Sequence, residues 1–65
     1  MTRLTPAERR ALEAYGRHGS IKGAAYALGR SPRTVDQQLK SARSKLGVAA
    51  NVQAVLIVDR ESRPA

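Results

Sequence analysis

With 65 residues, no cysteine, and 12 lysines and arginines against five acids, the chain carries a formal charge of +7, which points to an anionic polymer, nucleic acid first, as its partner. No apolar run approaches the roughly 18 residues of a membrane span and no signal-peptide core is present, so a soluble, cytoplasmic domain is expected, small enough to lean on a partner or second subunit for stability. One histidine, His18 in the polar stretch GRHG, and five scattered acids assemble neither a triad nor a metal cluster, which argues against an enzyme, a metal or a cofactor.

In chain order, Thr5, Pro6 and Glu8 of LTPAE stand as N-cap, first helical residue and reciprocal partner of a capping box. Ala7, Ala11, Leu12 and Tyr15 then recur at helical spacing until Gly16 and Gly19 bracket a stop, predicting a helix over about 6–17. Ser20 caps a second, short helix over 21–28, in which Ala24, Ala25 and Leu28 share a face and Gly29 is the stop. Ser31 and Pro32 open a third, over 32–46, with Val35, Leu39, Ala42 and Leu46 as its core stripe and Gly47 as its end. Asn51 is the expected cap of a fourth helix over 52–60, and the tail ESRPA is expected to fray. Met1 and the short tail read as one complete domain over 1–65. The class is all-α, four helices, with the second and third joined by a glycine turn as in a helix-turn-helix.

The third helix is the informative one. At 100° per residue its core stripe clusters within about 40° of Val35, and Arg33, Gln37, Lys40 and Ser44 occupy the opposite face, with Asp36 and Ser41 on the flanks. Such a helix fits a major groove about 12 Å wide, where glutamine addresses adenine and lysine or arginine addresses guanine or phosphate. Gln37 is therefore the leading base-reading candidate. Gln38, nearer the core edge, suits backbone, phosphate or a neighbouring helix. Arg30, Arg33, Arg43 and Lys45 surround the helix and suit phosphate positioning, as do the hydroxyls of Ser41 and Ser44. Asp36 can accept from cytosine or repel a misplaced phosphate, or it can pair with Lys40 four residues on.

LTPAER, SIKGAAYALG, SPRTV, KLGV at 45–48 and QAV at 53–55 occur in an order and spacing that resemble the LuxR-type (GerE-type) DNA-binding domain of bacterial transcription regulators, from Leu4 to about Val58. The resemblance implies four helices, a helix-turn-helix in the second and third, and a dimer contact in the fourth. It implies base or phosphate contacts just after the TV pair, here Asp36, Gln37 and Lys40, and adds Thr34 and Lys22 as backbone contacts. Gly23 and Ala24 depart from the family pattern, so a weaker second helix with thinner packing is expected. Arg30 stands at a usually aliphatic position, which means either an outward side chain or a rearranged corner of the core.

VQAVLIV, residues 52–58, is apolar on more than one face: Ala54, Val55 and Val58 on one side, Val52 and Leu56 on another, Ile57 between. A homodimer through Val52 and Leu56, with Asp59 at its margin, would set two recognition helices about 34 Å apart. The expected function is sequence-specific binding of double-stranded DNA, regulating transcription from a two-fold site in the nucleoid or a phage-infected cell. Regulatory input would come from abundance or from a protein partner such as RNA polymerase. The rival readings are a protein resembling the fourth region of bacterial sigma factors, since TVDQQLKSARSKL also fits that pattern, and a small adaptor that binds RNA polymerase through its basic face.

Overall fold

The boundaries of the first three helices in the computed structural model, which describes residues 4–62, follow from local signals. The Thr5 hydroxyl accepts from the Glu8 backbone N–H at 3.1 Å and the Glu8 carboxylate accepts from the Thr5 N–H at 2.8 Å, the full capping box that starts α1, Pro6–His18. The Ser20 and Ser31 hydroxyls take the backbone N–H groups of Gly23 and Thr34 and start α2, Ile21–Leu28, and α3, Pro32–Leu46. These three helices end on glycines in the left-handed conformation. At Gly29, φ is 66°, and the sharp exit it permits is what turns α2 into α3.

The fourth helix, α4, runs Asn51–Ser62 and begins differently from expectation. Asn51 is not its cap. The carbonyl oxygen of the Gln53 side chain reaches back to accept the N–H groups of Ala49 and Ala50, while the Asn51 side chain turns to accept from the Arg43 guanidinium. Glu61 and Ser62 of the tail expected to fray are helical; residues 63–65, like Met1 to Arg3, lie outside the described part.

Four helices and, among the described residues, no strand make the domain all-α. α1 is the hub: it packs against α2, α3 and α4, whereas α2 and α4 do not touch. The buried apolar set is Leu12, Val35, Leu39 and Val58 together with six alanines, at positions 11, 14, 24, 25, 42 and 54. Alanine lets helix axes approach closely but removes little apolar area from water, at about 25 cal/mol per Å². Gly16 serves the same closeness. It lies inside α1 rather than at its stop, and a Cβ there would stand 2.8 Å from Val55 Cγ1 of α4.

Two details of the expected core change. Ala7 is exposed, because the capping box turns the first helical turn so that Glu8, not Ala7, faces inward. Arg30 points outward, and the corner after Gly29 is left intact around half-buried Leu28. The second helix keeps its full eight residues despite Gly23 and Ala24: Ala24 is completely buried, and a Cβ on Gly23 would press on His18 Cβ and Ser20 Oγ at 3.0 Å.

Candidate nucleic-acid interface

α3 presents two opposed surfaces. Val35, Leu39 and Ala42 are fully buried and Leu46 half-buried, while Arg33, Asp36, Gln37, Lys40 and Ser44 are all exposed. None of the five side chains has a hydrogen bond or ion pair among the described residues. Asp36 and Lys40, four residues apart, do not close the helical ion pair that their spacing allows, so the Asp36 carboxylate stands unpartnered at the edge of the outward face.

At the start of α3, the Ser31 hydroxyl accepts the Thr34 N–H at 3.2 Å and donates to Thr34 Oγ1 at 2.9 Å. The Thr34 hydroxyl therefore keeps its own proton for an outside acceptor, as a phosphate contact requires. Lys22 and Arg30, on α2 and in the turn, are exposed and unpartnered among the described residues.

The other edge of α3 is occupied internally. Glu8 is 6% exposed, and its carboxylate accepts from Thr5 N–H, from Ser41 Oγ at 2.6 Å and from Lys45 Nζ at 2.8 Å. Burial by itself pushes this carboxyl up. The hydrogen bonds from Lys45, Ser41 and Thr5, with the Lys45 charge, outweigh burial and hold it down at about 2, against an ordinary 4.5. A charge this deeply placed fixes how α3 sits on α1, because the alternative is a stranded carboxylate. On the opposite edge, Arg43 is half-buried and donates to Asn51, tying α3 to the start of α4.

Of the candidate DNA-contacting residues, then, Asp36, Gln37, Lys40, Arg33, Ser44, Lys22 and Arg30 are free and outward, Thr34 is half-free, and Ser41 and Arg43 already have partners within the fold. Sequence reasoning assigned Glu8 to the cap alone; its bonds to Ser41 and Lys45 span 33 and 37 residues and leave no local signal. Val52 and Leu56, at 60% and 59% exposure, form with half-buried Tyr15 and Val55 an apolar strip along α4 and α1, and Asp59 is exposed beside it. No described helix is long and apolar enough to cross a membrane, and no group of three or more His, Cys, Asp or Glu among the described residues could hold a metal ion.

The family model described as bacterial regulatory helix-turn-helix protein, lysR family, matches residues 4–63. No curated protein and no solved structure matches the chain. The helix-turn-helix to which the sequence motifs led is thus shown, and the family that matches is the lysR one rather than the LuxR type. What those motifs carry, a glycine turn followed by a capped amphipathic helix, is the helix-turn-helix pattern itself, which does not separate one family of such domains from another.

Proposed function

Because the chain belongs to the lysR family of bacterial regulatory helix-turn-helix proteins, DNA-binding regulators of transcription, we propose that α3 enters the major groove of double-stranded DNA and reads its sequence with Gln37, flanked by Lys40 and Asp36. The observation that carries this is the split of α3 into a fully buried stripe and an exposed face whose polar groups are spent on nothing else. Gln37 makes a paired contact to an adenine edge, Lys40 addresses guanine or phosphate, and Asp36 accepts from cytosine or excludes a misplaced phosphate. Arg33, Thr34, Ser44, Lys22 and Arg30 hold the sugar-phosphate strands.

The protein acts in the cytoplasm as a homodimer through the exposed Val52 and Leu56 of α4, with Asp59 at the rim, on a two-fold site. A dimer contact on the fourth helix is the feature of this reading that is LuxR-like within the helix-turn-helix class. Selection of bound sites from random DNA tests both parts together. A palindrome with half-sites one turn apart is expected; an unselective pool sinks sequence reading, and a single non-repeated site, with a monomer by sedimentation on DNA, sinks the dimer.

A further inference from the structure

α1 lies outside the helix-turn-helix, yet one of its cations shares a small cleft with three residues of the reading unit. A cavity of about 70 Å³ is lined by Ala7 and Arg10 of α1, Leu28 at the end of α2, Arg30 in the turn, and Gln38 on α3. No acid lines it. Neither guanidinium has a hydrogen bond or ion pair among the described residues, whereas Arg9, Arg43 and Lys45 are held by Glu61, Asn51 and Glu8. Two like charges therefore border one small space with nothing of opposite sign between them, an arrangement that an anion relieves. Arginine and the glutamine amide both donate, and guanidinium in particular suits the paired oxygens of a phosphate.

The place of the cleft gives the anion its source. Glu8, two residues before Arg10, grips Ser41 and Lys45, so the first turns of α1 are held alongside the edge of α3 that carries Gln38. A helix about 10–12 Å across in a groove about 12 Å wide has a sugar-phosphate strand along each side. We infer that Arg10, Arg30 and Gln38 seat one phosphodiester of the DNA strand that borders the recognition helix, which makes α1 part of the DNA interface. This rests on the placement of α3 in the groove proposed above.

The experiment uses the full chain and its selected DNA site, with Arg10→Gln and Arg30→Gln singly and together, each confirmed folded by circular dichroism. Each single variant should make the slope of log K against log salt less negative by about 0.9 and weaken binding about fivefold near 0.15 M salt, on selected and random DNA alike. The double variant should lose little more than either single one, because both side chains serve the same phosphate. A single uncharged methylphosphonate, stepped along the flanking strand, should weaken the wild type at one position and leave Arg10→Gln unaffected there. Unchanged slopes in both variants, with sequence-selective binding intact, overturn the phosphate seat and spare the proposed function. No sequence-selective binding by the wild type overturns both. Inorganic phosphate that shifts the Gln38 amide NMR signals, with DNA slopes unchanged in the variants, assigns the cleft to a free small anion and overturns the inference.

Discussion

Two kinds of cation occur within thirteen positions of α3. Arg43 and Lys45 have partners inside the molecule, one on Asn51 and the other on a buried carboxylate, whereas the side chains of Arg33 and Lys40, on the same helix, have no hydrogen bond or ion pair among the described residues. The difference shows that a charge of +7 is not a measure of the interface. A lysine that meets Glu8 is partly spent on folding, and its loss should appear in stability; one that faces outward costs folding nothing, and its loss should appear only when DNA is present.

The strongest way to break that division is through Glu8. Glu8→Ala leaves Lys45 and Ser41 without their shared acceptor and removes one half of the capping box, so a loss of about 3 kcal/mol in urea unfolding is expected, a large part of what so small a domain holds. Next in size is pH. A folded-state value held at about 2, below an ordinary 4.5, means that Glu8 stabilises fully above about pH 4.5 and that this contribution drains away as pH falls toward 2. It amounts to something on the order of 3 kcal/mol. Urea midpoints from pH 6 to 2.5 should show that decline in the wild type and a flatter profile in Glu8→Gln.

The outward side should answer in the opposite currency. Gln37→Ala should cost about 1–3 kcal/mol of discrimination at one base pair with no change in melting. Lys40→Ala should reduce the salt slope by about 0.9 and leave melting untouched, while Arg43→Ala should lower stability by about 1 kcal/mol and leave the slope alone. An Arg43 variant that lowers the slope instead would merge the two kinds of cation. Smallest is Asp36→Ala: slightly tighter binding with relaxed sequence preference, read by competition between selected and mismatched sites.

How much of this was legible in the sequence depends on the range of each interaction. The caps at Thr5, Ser20 and Ser31 and the stops at Gly19, Gly29 and Gly47 are contacts within a few residues, and they place the first three helices to within a residue. The outward face of α3 was equally readable, since helical geometry alone separates Gln37 from Leu39. Asn51 misled because a good capping residue stood beside Gln53, and tertiary contact with Arg43 decided which of them served. Ser41 and Arg43 looked like surface groups because their partners lie on other helices. Gly16 read as a stop, whereas its purpose is the approach of Val55.

The same contrast between near and distant contacts bears on how the chain reaches its fold. Helix starts and stops are written locally and can be decided early, during the microsecond formation of individual helices. The Glu8 bonds to Ser41 and Lys45 must wait until α1 and α3 have met across more than 30 residues of chain. If they close after the rate-limiting step, Ser41→Ala should leave the refolding rate nearly unchanged and speed unfolding, whereas Ser31→Ala should slow refolding. The carboxylate that fixes the angle of α3 on α1 would then act as a latch on an assembled domain, governing how long the fold keeps its shape rather than how quickly it acquires it.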